Sequence, residues 1–261
     1  MSNFFWEKVG TGKQNVVLLH GWGLNSEVWR TIVKVESSAN FCFHFVDLPG
    51  YGRNYMFPPL SLEEMTEIIW EHAPKQSIWL GWSLGGLIAS VIALKYSTEI
   101  TGLITVASSP CFIQKDNWPG IKSIILQNFE QQLRLDFNNT IERFLELQIL
   151  DSKKVDEDIK LLKLLILKQP LPSSAVLKKG LRILQNTDLR ESLLTFKKPF
   201  LRIYGDLDTL VPRKISSIID TWLPKSFSII MKHAAHAPFI SHPYKFVRLL
   251  IDFSDSLKLS I

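Results

Sequence analysis

Cysteine is scarce. Cys42 and Cys111 are the only two in 261 residues, too few for a disulfide framework, and such usage points to a reducing compartment. Long apolar runs are missing too. The longest apolar-rich stretch, Leu161 to Leu167, is broken by Lys163 and is too short to span a bilayer. The N-terminus reads MSNFFWEKVG and continues into polar TGKQN, without an apolar run of signal-peptide length. A soluble cytoplasmic protein with no membrane partner is therefore expected. Zinc-finger spacing, a basic zipper and RNA-binding aromatic motifs are absent, and a net charge of +5 is mild for this length, so nucleic acid is not expected as a partner. No internal repeat or low-complexity segment is evident.

What is present is ordinary globular composition, 46% apolar and 21% charged, which excludes a disordered chain. The length fits one large α/β domain with an insertion as well as two small domains. Short apolar runs rich in Val, Ile and Leu alternate with helical patterns. Strands are expected at Asn15–His20, Phe41–Val46, Ser77–Leu80, Leu103–Ala107, Pro199–Tyr204 and Phe227–Met231, with helices over Leu60–His72 and Leu87–Tyr96. That alternation implies a mostly parallel sheet covered on both faces. From about Trp118 to Asp188 only helical patterns occur. One helix is expected to be capped by Asn139 or Thr140 and to run through IERFLELQIL. A second spans Val155 to Lys168, and a third starts near Ser173 or Ser174. The expected organisation is a core of residues 1–112 and 189–261 with a helical lid at 113–188, a common way to build a cover over an active site.

Residues 81–86 read Gly-Trp-Ser-Leu-Gly-Gly, between an apolar strand and a helix. A nucleophile on so tight a turn has a strained backbone, with glycines where side chains would collide. Ser83 is the expected nucleophile, and the N–H of Leu84 points where an oxyanion would form. Serine needs a base. In a strand-turn-helix hydrolase of this kind the order along the chain is serine, acid, histidine. His20, His44 and His72 precede Ser83 and are demoted; His236 is favoured, with His233, read as still part of the last strand, as the alternative. His242, before Pro243, is read as helping to start the final helix. The loop YGDLDTLVP offers Asp206 and Asp208; Asp208 lies farther out and is chosen to orient the imidazole. His20-Gly21-Trp22-Gly23 follows an apolar strand directly, and the Trp22 N–H is the expected second oxyanion donor. The rings of Trp22 and Trp82 either line the pocket or pack in the core.

HGWGLN (20–25), DLPGYG (47–52), GWSLGG (81–86), ASSPCF (107–112), YGDLDTLVPRK (204–214) and HAAHAPFISHP (233–243) together resemble the α/β-hydrolase superfamily. More narrowly they are similar to its branch of pimeloyl-acyl carrier protein methyl ester carboxylesterases of biotin synthesis. The resemblance spans nearly the whole chain. It implies an α/β-hydrolase fold, a triad carried by Ser83, Asp208 and His236, and an oxyanion hole from the backbones of Trp22 and Leu84. It also implies acyl contacts after Arg143, at Phe144, Leu145, Glu146, Leu147 and Gln148, and no metal or organic cofactor. An acidic acyl carrier protein is the implied partner of a monomeric enzyme. Ile159 to Thr187 carries six Lys or Arg and no Asp or Glu, which suits such a partner, with Arg143, Lys160 and Lys163 as docking candidates. A general short-chain esterase, a C–C bond hydrolase and a non-catalytic ligand receptor on the same frame are the alternatives.

Overall fold

The computed structural model describes residues 4–136, 139–140, 160, 164 and 167–258. Seven strands form one sheet: β1 (Trp6–Val9), β2 (Gln14–Leu19), β3 (Phe41–Val46), β4 (Ser77–Trp82), β5 (Ile100–Val106), β6 (Phe200–Gly205) and β7 (Phe227–Met231). Their spatial order is β1-β3-β2-β4-β5-β6-β7. All neighbours run parallel except β1, which pairs antiparallel with β3 through Trp6↔Val46 to Val9↔Phe43. Every residue of β3, β4 and β6 is buried. Such continuous burial is what a parallel sheet with both faces covered demands, and it explains why FCFHFV and SIWLGW show no polar alternation.

Among the described residues there are six longer helices, α1 (Leu62–Glu71), α2 (Leu84–Lys95), α3 (Ser123–Leu135), α4 (Ser174–Asn186), α5 (Lys214–Trp222) and α6 (Pro243–Lys258), of which α3 and α4 pack against each other. Their starts are chemically marked. Ser61 and Glu64 form a capping box that fixes the first turn of α1. The Ser173 hydroxyl accepts the Val176 N–H and begins α4. Helix α2 is buried on nearly every side, because it starts at the end of β4 and runs back along the sheet. No helix among the described residues is long and apolar enough to cross a membrane.

Several sequence expectations shift. Strand β1 was not anticipated; four residues, WEKV, are too few to show a period, and the strand is held from outside by pairing and by the Trp6 indole N–H donating to His44 Nδ1 at 2.9 Å. Strand β5 starts at Ile100, and β4 runs on to Trp82. Between β5 and β6, where only helices were expected, isolated bridges join Ile113 to Ile121 and Lys115 to Trp118. The Asn139 N–H donates to Asp136 Oδ1 at 3.1 Å, so the capping carboxylate lies upstream of the Asn139 or Thr140 cap expected from the sequence. The rest of that helix, and nearly all of the one expected over Val155–Lys168, lie outside the described residues. The chain leaving β5 and the chain returning toward β6 meet: Cys111 bridges to Asp188, and the Leu189 N–H donates to Pro110 O at 2.8 Å.

Because β2 to β7 are parallel, their C-terminal ends share one edge of the sheet. Ser83 follows β4, Asp208 lies past β6 and His236 lies past β7. The crevice outside those ends is where an open α/β sheet takes ligands.

Candidate active site

Ser83 sits between β4 and α2 with φ 53° and ψ −116°. A non-glycine residue there is strained by about 1–3 kcal/mol, and the surroundings enforce it. A Cβ at Gly81 would lie 2.1 Å from the carbonyl oxygen of Gly85, and one at Gly85 would lie 2.3 Å from that of Leu19. Both glycines of the turn are therefore steric requirements. The Ser83 N–H donates to Val106 O at 3.0 Å, and its carbonyl accepts from the Gly86 N–H at 2.9 Å and from the Ser108 hydroxyl at 2.8 Å. The backbone is pinned from three sides while the side chain stays free of the turn.

His236 and Asp208 meet in the crevice. The His236 Nδ1–H donates to Asp208 Oδ2 at 2.8 Å, with both side chains buried. The other carboxylate oxygen, Oδ1, accepts the N–H groups of Leu210 at 2.8 Å and Val211 at 3.0 Å. The carboxylate is thus aimed by its own loop. The two loops are locked together: Leu207 N–H donates to Ala234 O at 3.0 Å, and a Cβ at Gly205 would lie 2.1 Å from Ala235 O. With Nδ1 carrying the proton toward Asp208, Nε2 presents its lone pair. It is buried and has no hydrogen-bond partner among the described residues. That is the state a base must hold before substrate arrives.

Trp82 joins this pair to the serine. Its indole N–H donates to the His236 carbonyl at 2.8 Å, and its ring lies 5.7 Å from the imidazole. The residue preceding Ser83 therefore fixes the backbone of His236. Trp82 is fully buried, so it is a core ring with one polar tether and does not line a pocket.

The His20–Gly23 loop lies against the same turn: a Cβ at Gly21 would be 3.4 Å from the Ser83 Cβ. Trp22 is buried, and its indole N–H donates to Leu177 O of α4 at 2.8 Å. Leu84 opens α2, so its N–H belongs to the first turn, which lacks intrahelical acceptors.

Two candidates recede. His233 is exposed in a turn at φ 58°, two residues past the end of β7. It was expected within the strand, but the strand ends at Met231 because the chain must reverse there. Asp206 donates its N–H to Met231 O at 3.1 Å and places Oδ2 4.0 Å from Lys232 Nζ; it belongs to the turn that follows β6 and is pinned to the end of β7. His242 immediately precedes α6, as expected.

Two residues were given no role by sequence reasoning. His20 was set aside by chain order, yet it organises the glycine loop. Its Nε2 accepts the Leu48 N–H at 2.9 Å, so Nδ1 carries the proton and donates to Gly21 O at 2.8 Å. Burial holds its pKa down at about 4, against the pull of Asp47. Ser108, within ASSPCF, supports the Ser83 carbonyl. Nothing local in the sequence marks either contact.

Lys160 and Lys168 are exposed, while Arg182 of α4 pairs with Glu130 of α3 at 3.3 Å. Arg143, Phe144, Leu145, Glu146, Leu147, Gln148 and Lys163 lie outside the described residues. Among the described residues no group of three or more His, Cys, Asp or Glu is placed to hold a metal ion.

A serine lifted onto a strained turn, beside an imidazole whose tautomer is set by a buried carboxylate, is equipped for acyl transfer through a covalent intermediate. The chain belongs to the alpha/beta hydrolase fold family, whose model matches residues 14–243. A pimeloyl-[acyl-carrier protein] methyl ester esterase of Photorhabdus laumondii is 53% identical over 254 residues, covering 97% of each chain. One of the same name from Proteus mirabilis is 52% identical over 260 residues, covering 99% of each. Among solved structures, an esterase from Exiguobacterium antarcticum superposes with a TM-score of 0.86 at 22% identity, covering 96% of this chain and 94% of that one. A bromoperoxidase from Bacillus anthracis gives 0.85 at 21%, with the same coverage. At those identities the two structures speak to the fold alone.

Proposed function

We propose that the chain is a serine carboxylesterase that hydrolyses the methyl ester of pimeloyl-acyl carrier protein, releasing methanol and the free pimeloyl carboxylate for biotin synthesis. The observation that carries the chemistry is the buried His236–Asp208 hydrogen bond, which engages Nδ1 and leaves Nε2 without a partner among the described residues, while Ser83 is held on a strained turn at the same edge of the sheet. The substrate assignment is supported by relatives of that name, more than half identical over nearly the full chain.

His236 Nε2 takes the Ser83 hydroxyl proton as the oxygen attacks the ester carbonyl. The oxyanion is held by the N–H groups of Trp22 and Leu84, each worth about 3–4 kcal/mol of barrier. The imidazolium, stabilised by Asp208, returns its proton to the departing methoxy oxygen. Water then repeats the sequence on the acyl-enzyme and frees Ser83. No step calls on a metal or an organic cofactor.

Residues 113–188 form the cap in this reading, with Phe144 to Gln148 against the acyl chain. The basic run from Lys160 to Arg182, with Arg143, faces the acidic carrier protein. The enzyme acts as a cytoplasmic monomer. The test is turnover of pimeloyl methyl ester on its carrier protein against a free p-nitrophenyl ester. Ser83→Ala is expected to abolish both, and wild-type turnover by that variant would overturn the reading. Reversing Lys160, Lys163 and Lys168 to Glu is expected to weaken the carrier-bound reaction selectively; equal effects on both substrates would remove the docking assignment.

A further inference from the structure

The chain's two buried tryptophans beside the site are tethered differently. Trp82 is tied to the His236 loop within the core, whereas Trp22 is tied to the inserted segment. Its indole N–H donates to Leu177 O, in the first turn of α4, across 155 residues of chain. One helical turn on, α4 presents Gly180. A Cβ there would lie 2.7 Å from Trp22 Cδ1, 3.0 Å from Trp22 Nε1 and 2.6 Å from the Tyr51 hydroxyl oxygen. The helix thus rests on both rings through a residue with no side chain. Tyr51 in turn packs edge-on against His20 at 5.5 Å, and His20 holds Gly21 O. The loop that carries the Trp22 N–H is gripped from the core by His20 and from the insertion by Leu177 and Gly180.

We propose that α4 is part of the oxyanion apparatus, with Gly180 and the Trp22 indole as positioning groups that set the Trp22 backbone N–H toward the reacting carbonyl. A hydrogen bond fixes where the indole sits, and close approach at Gly180 fixes how deep. Since the indole and its own N–H share one Cα, displacing the ring rotates the donor. An oxyanion donor works only if it is set before charge develops, and a shift of about 1 Å costs on the order of a hundredfold in rate. The seating of the insertion on the core is thereby written into the rate of the chemical step.

The inference rests on the acyl-transfer reading above. Its test uses p-nitrophenyl butyrate, which needs no carrier protein, and a trifluoromethyl ketone that mimics the tetrahedral intermediate. Gly180→Ala pushes a methyl into both rings; Trp22→Phe removes the donor to Leu177 while keeping the backbone N–H. Each is expected to lower kcat and the ketone affinity together, by about tenfold or more. KM should stay within about twofold, and the pH profile of kcat/KM should not move, because the His236–Asp208 pair is untouched. If Gly180→Ala loses its cooperative melt, Trp22→Phe decides. Wild-type kcat in Trp22→Phe, or a fall in kcat with unchanged ketone affinity, overturns the proposal. Failure of the acyl-transfer reading is seen separately, as turnover surviving in Ser83→Ala.

Discussion

Asp208→Asn is the most discriminating perturbation of the candidate triad, because the structure dictates which way the new amide must face. Asp208 Oδ1 accepts two backbone N–H groups, from Leu210 and Val211. An amide nitrogen there would oppose two donors with a donor, so the Asn oxygen must take that place. The NH2 is then left facing the Nδ1–H of His236, with 2.8 Å between the two heavy atoms. The imidazole can meet a donor only by becoming an acceptor at Nδ1, which moves its proton to Nε2. It cannot turn away, because the Trp82 indole holds the His236 carbonyl and Trp82 packs beside the ring. The base is thus lost through the wrong tautomer while the geometry survives. In a serine protease the equivalent change costs about 10⁴-fold in kcat, roughly 5–6 kcal/mol of barrier. The same order is expected here for a p-nitrophenyl ester, with KM nearly unchanged. Shape and backbone bonds are kept, so the urea midpoint should fall by no more than about 1 kcal/mol equivalent. A variant within tenfold of wild-type kcat would refute the tautomer argument and with it the role of Asp208.

Two further outcomes follow from strain and burial. Ser83→Gly removes a side chain from φ 53°, ψ −116°; it is expected to abolish turnover yet raise unfolding free energy by about 1 kcal/mol over Ser83→Ala in urea titrations. Equal stability of the two variants would argue against a strained turn. His20 is neutral in the fold, its pKa lowered to about 4 from 6.5 by burial. The unfolded chain therefore binds the proton first, and this contribution is complete above about pH 6.5 and lost as pH falls toward 4. Between pH 7.5 and 5 it should remove about 2 kcal/mol of stability, which His20→Gln would abolish; a slope unchanged in that variant would contradict the buried neutral assignment.

Much of the chain's local structure is legible without coordinates. All six expected strands lie within a few residues of observed ones because continuous apolar runs bounded by polar turns have few other ways to be buried. The Gly81 requirement is equally direct, because its clash is with Gly85 four residues on; the Gly85 requirement comes from the Leu19 carbonyl of the neighbouring strand and is set by the sheet. Chain order, too, picked out His236 and Asp208, two side chains that meet in the fold. Strand β1 escapes this kind of reading because WEKV gains its form from pairing with β3, not from its own residues.

What only the tertiary structure decided is how side chains far apart in sequence divide the work. His233 and His236 differ by three positions in one short segment, yet one faces solvent and the other is sealed against Asp208. That choice depends on where β7 ends and on Ala234 and Ala235 abutting the Leu207 and Gly205 backbones. His20 was discarded as a base, and the fold makes it the neutral strut of the glycine loop, since its two nitrogens meet Leu48 and Gly21 only once β2 and β3 pair. Trp22 and Trp82 read alike as large rings beside glycines. Their different tethers, one to the segment between β5 and β6 and one to the core, arise because burying an indole N–H is less costly with an acceptor, and the acceptors they find are carbonyls more than 150 positions away. Spacing along the chain determines what a turn can be; closure of the sheet and seating of the insertion determine what each side chain can reach.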